Sequence, residues 1–269
     1  MADTDEITLL FTGGLDSTLA ATQLARDYAR VHLLTFNNGF CMGADRFPQK
    51  RVADLKRLFG QDRFTHELID VGALFRRLRQ DFGKHLRHYH SPLIFDLCCR
   101  LSMDTRTVIY NLEHGIPYVA DGNSESQTEI FVQRKEYTAE VERFMREHGV
   151  EYIRPVYDFG DRDKRRQALQ DMGFASGNKA LTALQRLGLN NFSDQLGKQP
   201  ICMAAWGAAV MTSPLRDWPV VRHFQLSVED AIEFRHNREE IARACIREYF
   251  ARKRINLDAL LAKQGAATV

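Results

Sequence analysis

The chain has 269 residues, 44% of them hydrophobic and 27% charged, which suits a soluble globular protein with one sizeable core. Formal net charge is +2, so mean charge selects no polyanionic partner. The acidic start (Asp3, Asp5, Glu6) is unlike a secretory leader and no apolar run approaches a membrane span, so the expectation is a cytoplasmic protein with no membrane partner.

Apolar runs at 7–11, 31–36, 64–71, 118–121 and 152–156 read as strands, and helical patterns open at Ser17, Asp45, Leu93 and Ser126. That alternation predicts an α/β fold, a parallel sheet covered on both faces, with ligands bound beyond the carboxyl ends of the strands. After residue 156 strands are expected to stop. Residues 158–173, 178–187, 200–211 and 228–264 look helical, the last as one helix or two, with 265–269 frayed. The predicted division is an α/β domain over 1–175 and a helical region over 176–269, folded over the nucleotide crevice. The basic clusters (Arg76, Arg77, Arg79; Lys164, Arg165, Arg166; Arg252, Lys253, Arg254) suit solvated helix faces more simply than nucleic acid.

Thr12-Gly13-Gly14-Leu15-Asp16-Ser17-Thr18 follows the first strand directly. Paired glycines let backbone N–H groups approach an anion, and the following helix start favours negative charge. No Gly-Lys-Ser/Thr is present, so this is not a Walker loop. A plain Gly-Gly turn with an Asp/Ser cap fits the same residues. A second strand-to-helix passage runs 119–131, with Asp121, Gly122, Asn123, Ser124, Glu125, Ser126, Gln127 and Glu129; Ser126 and Glu129 also make a capping pair. A third has Ile153-Arg154-Pro155 and then Asp161-Arg162-Asp163-Lys164.

In order and rough spacing, these three fragments resemble the ATP pyrophosphatases, which split ATP into AMP and pyrophosphate. The first resembles their Ser-Gly-Gly-x-Asp-Ser loop, with Thr12 in place of the first Ser. The second resembles the signature of the tRNA-modifying branches, with Gly122 and Asn123 at the histidines, Glu125 and Ser126 at the Asp pair, and Gln127 and Glu129 as in lysidine-synthetase-like sequences. The resemblance implies a Rossmann-like (HUP-type) five-stranded parallel sheet with a helical C-terminal extension. It implies ATP as cofactor, with pyrophosphate contacts at Thr12, Gly13, Gly14, Ser17 and Thr18, and phosphate contacts at Gly122, Asn123, Gln127, Arg162 or Lys164. It implies adenosine contacts at Asn37 and Asn38, and Mg2+ at Asp16 and Asp121, with Asp16 alternatively locking the loop.

Five cysteines, an odd number, argue for reduced thiols, metal or redox chemistry over a disulfide framework. Cys98 follows the apolar stripe of its helix and reads as a core thiol. Cys99 shares a face with Asp96 and Met103. Cys202 falls in the first turn of a helix if Pro200 opens it, a place that favours thiolate. Cys41 lies just past the second strand, near the crevice, and Cys245 reads as a buried small hydrophobe. Sulfur-inserting relatives often carry Cys-x-x-Cys here plus a distant cysteine, holding an iron–sulfur cluster; this chain has Asp96-x-x-Cys99. Three fates stay open: a [4Fe-4S] cluster on Asp96, Cys99 and Cys202, a persulfide and resolving pair, or buried small side chains. His85, His88 and His90 before Pro92 suit a solvated or phosphate-facing loop better than a metal site.

The expected activity is adenylation of a carbonyl oxygen followed by its replacement with sulfur, on tRNA or a small heterocycle, with Asp16, Asp121, Cys99 and Cys202 as catalytic candidates. The sulfur would come from a donor protein or sulfide, and a homodimer is expected. An AMP-forming C–N ligase of the lysidine-synthetase type and a non-catalytic nucleotide-binding regulator are the alternatives.

Overall fold

A computed structural model describes residues 6–125, 131–174, 201–202 and 224–267. Its main sheet contains β1 (Glu6–Leu10), β2 (Arg30–Asn37), β4 (Phe64–Asp70), β5 (Tyr118–Ala120) and β6 (Glu151–Ile153). The order is β4-β2-β1-β5-β6 and every pairing is parallel. Strand order reverses between β1 and β5, the place where an open parallel sheet forms its ligand crevice.

Both faces of the sheet are covered, as its near-continuous apolar strands require. Ile7, Leu9, Val31 and Leu33 point into one apolar cluster, which takes up α1 (Leu15–Asp27), α2 (Phe47–Phe59) and α7 (Arg162–Asp171). Leu10, Leu34, Phe36 and Ile69 point into the other. That face receives α3 (Gly72–Leu78), α5 (Leu93–His114), α6 (Lys135–Glu147) and α8 (Val228–Arg252), with α4 (Phe82–Tyr89) and α9 (Leu257–Ala267) at its margins. Among the described residues no helix is long and apolar enough to cross a membrane.

Several expectations are corrected. Strands do not stop after residue 156: β7 (Ile201–Cys202) pairs antiparallel with β3 (Cys41–Met42), in the register Cys41 opposite Cys202. Cys202 is therefore in a strand and not in the first turn of a helix. Proline before a β-branched residue serves a strand start as well as a helix start, and pairing with β3 decides the matter. His85 and His88 lie on α4, where His85 packs edge-on against Phe234, so they belong to a helix and not a loop. The helix after β5 starts at Lys135, following a 3-10 turn at Phe131–Gln133; Ser126, Gln127 and Glu129 lie outside the described residues, as does 178–187. The stretch 228–264 is two helices, divided where Arg254 takes a φ of 58°, and α9 continues past the predicted fraying to Ala267. Helix α8 packs on α5, with Ala231, Phe234, Ala242, Ile246 and Phe250 in the same cluster as Leu97, Leu101 and Val108.

Candidate nucleotide and thiol site

The chain leaves β1 at Thr12 and folds its loop on itself. Gly14 N–H donates to Thr12 Oγ1 (3.2 Å), Thr12 N–H donates to Ser17 Oγ (3.3 Å), and the two hydroxyls lie 3.1 Å apart. Gly13 has a φ of +71°, and a Cβ there would stand 2.8 Å from the Cα of Pro48, so glycine is required twice over. Gly14 caps α1 without any side-chain bond, and the N–H groups of that first turn have no intrahelical acceptor. Such a turn is built to meet an anion. Thr18 is fully buried and its N–H already bonds Gly14 O (3.0 Å), which makes it a structural member of the turn.

Asp16 is held by a cation. Its Oδ1 lies 3.1 Å from Nε of Arg165, a side chain on α7 that is 1% exposed. Arg162 and Lys164, the expected phosphate contacts from this helix, are exposed, and Lys164 N–H is capped by Asp161 Oδ1 (2.8 Å). The cation that reaches the loop is the neighbour of those two.

The second loop leaves β5 at Asp121, which is 3% exposed. Its Oδ1 accepts Asn123 N–H (3.0 Å) and its Oδ2 accepts Arg100 Nη1 (3.0 Å) and the hydroxyl of Tyr152 (2.5 Å). Burial and the adjoining Asp121 carboxylate push the Tyr152 phenol well up, so it stays a donor. Asn123 Nδ2 in turn donates to Tyr152 Oη (3.1 Å). Gly122 lies against α1: a Cβ there would be 2.7 Å from Ser17 N and 2.9 Å from the Asp16 carbonyl carbon. The two loops touch at that point and together line a polar cavity of about 210 Å³ with Arg100, Met103 and Gln133.

Beside it, at the ends of β1 and β2, is an apolar slot of about 110 Å³ that shares Leu10, Thr12 and Met103 with the cavity. Asn38, 2% exposed, places one amide between two thiols of this slot. Its Nδ2 donates to Cys99 Sγ (3.0 Å) and its Oδ1 accepts Cys41 Sγ (3.3 Å) as well as Phe40 N–H (2.8 Å). Asn37 caps the same turn, accepting Gly39 N–H (2.9 Å). The β3–β7 register brings the backbone of Cys202 opposite Cys41. Three of the five cysteines are thus drawn to one end of the sheet. Cys98 is different: it faces Leu78 O, and burial pushes its thiol up to about 12. Burial also raises Cys245, out on α8.

Among the described residues neither implied metal centre finds a matching donor set, and the Cys202 side chain lies outside that description. Asp16 and Asp121, expected to hold Mg2+, are each ion-paired to a buried arginine. Asp96 is half-buried one turn before Cys99, and among the described residues no three His, Cys, Asp or Glu side chains gather as a metal group. No step below runs through either centre. Sequence reasoning missed Arg100, Arg165 and Tyr152. The available signal for Arg100 was a charge at a buried position of the α5 stripe.

No protein-family model matches the chain, and no curated protein matches it. Among solved structures it is similar to a predicted subunit of tRNA methyltransferase from Methanocaldococcus jannaschii, at 20% identity over 61% of this chain and 75% of that one, with a TM-score of 0.42. A 4-thiouridine synthetase in complex with RNA and bound ATP matches at 16% identity, TM-score 0.45, covering 84% of this chain; the chain spans 53% of that protein. The U34-tRNA thiolase NcsA from Methanococcus maripaludis, with its [4Fe-4S] cluster, matches at 11% identity over 89% of this chain and 73% of that one, TM-score 0.42. The strand order, with two glycine loops at its reversal, gives this chain a Rossmann-like parallel sheet.

Proposed function

We propose that the chain is an ATP-dependent, AMP-forming enzyme that adenylates a carbonyl oxygen and replaces it with sulfur. The observation that carries this reading is the adjacency of an anion-binding turn and a thiol-lined slot that share Leu10, Thr12 and Met103. Gly13, Gly14 and Ser17 hold the β- and γ-phosphoryl groups while the acceptor's oxygen attacks the α-phosphorus and pyrophosphate leaves. Asp16, clamped by Arg165, keeps the turn in shape. The gain is one of positioning and of fixed donors on developing charge. Asn37 at the rim serves the adenosine.

Sulfur then attacks the adenylated carbon, the C–S bond forms, and AMP departs with the oxygen. Cys99 is the thiol assigned to deliver it: its thiolate takes the outer sulfur of a donor protein's persulfide, the donor thiol leaving. After the attack a second thiol cleaves the S–S bond, freeing the thiocarbonyl and leaving a disulfide with Cys99 that a dithiol reductant resets. Asn38 Nδ2 donates to Cys99 Sγ (3.0 Å), a hydrogen bond that favours charge on the accepting thiolate. The acceptor is a carbonyl-bearing heterocycle, in tRNA or free.

Pyrophosphate release and thiocarbonyl yield, measured with ATP and either a persulfide donor with a dithiol reductant or ammonium, test the reading. Wild type is expected to release pyrophosphate and form product with the persulfide donor. Asp16→Ala should lose release by at least tenfold, and Cys99→Ala should abolish thiolation while retaining ATP binding. Turnover with ammonium alone, unaffected by Cys99→Ala, would move the assignment to a C–N ligase. ATP bound without pyrophosphate release under every condition would mark a regulator.

A further inference from the structure

Arg100 follows Cys99 on α5, and its side chain, 9% exposed, borders the polar cavity. A guanidinium offers five N–H donors in a fixed fork. Here Nε donates to Asp104 Oδ1 (2.8 Å) and Nη1 to Asp121 Oδ2 (3.0 Å), while Nη2 is buried with no hydrogen-bond acceptor among the described residues. A buried donor of a charged group is ordinarily satisfied, so this one is held ready for something absent from the protein itself.

An open donor on a guanidinium takes an acceptor, and an anionic oxygen makes the strongest one. Arg100 is the one cation among the described residues that line the cavity, beside the carboxylates of Asp16 and Asp121. Both of its carboxylates have further donors. Asp104 also accepts from Arg235 Nη1 (3.0 Å), a fully buried side chain on α8, and Asp121 also accepts from Tyr152 and the Asn123 amide. Arg235 is itself fixed by Glu239 (2.9 Å) and Tyr137 (3.1 Å). The fork is therefore set in direction by α8 and α5 together.

We propose that Arg100 is a phosphate-contacting residue of this site, its Nη2 donating to an oxygen of the nucleotide's phosphate chain from the α5 wall. The assignment rests on the functional reading above and names a contact that the glycine loops alone do not supply. Arg235 acts through Asp104 and is a positioning residue.

Titration calorimetry with ATP, AMP and adenosine tests it. Arg100→Lys keeps a charge but loses the fork. It should weaken ATP at least tenfold, weaken AMP less, and leave adenosine within twofold, since adenosine has no phosphate. Tyr152→Phe loosens the Asp121 loop with the guanidinium in place and should weaken ATP less than threefold. The assignment is overturned if Arg100→Lys binds ATP as wild type does, if it loses adenosine equally, or if Tyr152→Phe loses as much ATP affinity. Should Arg100→Lys fail to fold, the charge-balanced pair Arg100→Gln with Asp104→Asn takes its place under the same readouts. A wild type that binds neither ATP nor adenosine sinks the functional reading together with this one; a wild type that binds both, matched by the variant, sinks only the role of Arg100.

Discussion

A single added methyl group shows how closely the two loops of the site are fitted. At residue 122 it would lie 2.7 Å from the Ser17 nitrogen, against backbone that cannot swing aside. Gly122→Ala is therefore expected to push the β5 loop off the start of α1. ATP affinity should fall at least tenfold, about 1.4 kcal/mol, in a calorimetric titration, with the melting temperature lowered by only a few degrees. Unchanged affinity would separate the two loops functionally. The thiols divide just as sharply. Cys98, raised to about 12 by burial, should resist iodoacetamide at pH 8, while half-buried Cys41 reacts, as peptide mass spectrometry would show. Residues whose work is local were legible in the sequence: Thr12 to Ser17 fold onto one another, so their spacing states their geometry. Arg165 and Arg100 were not. A buried arginine and a solvated one are written with the same letter, and only the fold brings Asp16 or Asp121 alongside.

Strands and long helices were legible because each buries a periodic apolar face, and the strand ends fell within a residue or two of the apolar runs, except that β6 stops at Ile153, three residues short of its run. The elements that escaped notice have two residues, as β3 and β7 do, or carry polar faces broken by short turns, as α3 and α4 do. Their existence depends on partners far along the chain, which no local pattern reports. Among the long helices, α8 begins at Ser227, whose hydroxyl accepts Asp230 N–H (3.0 Å). Ser227→Ala should cost about 1 kcal/mol of stability in urea unfolding, and because α8 holds Arg235 against Asp104, it should also soften nucleotide binding.

For the molecule as a whole, acid is the expected weakness. Burial lowers His148, with His32 and His66 shifted the same way, so the folded state favours the neutral form of each. The unfolded chain takes up those protons near the ordinary value of 6.5, so it binds more protons than the folded one below that pH. Stability is thus full above about pH 6.5 and lost as pH falls through the lowered folded-state values. The melting temperature should drop between pH 7 and pH 5, and His148→Gln, which keeps a polar group near Phe144 O, should flatten that slope. An identical slope in the variant would place the acid sensitivity elsewhere.

The β3–β7 ladder joins positions 41 and 202 across most of the polypeptide. During synthesis, the glycine turn behind β1 emerges early, but the wall beside Cys41 has no partner until translation has passed residue 202. Until then the thiol-lined slot lacks the strand that pairs beside it, so an arrested or truncated nascent chain would present Cys41 without its β7 partner.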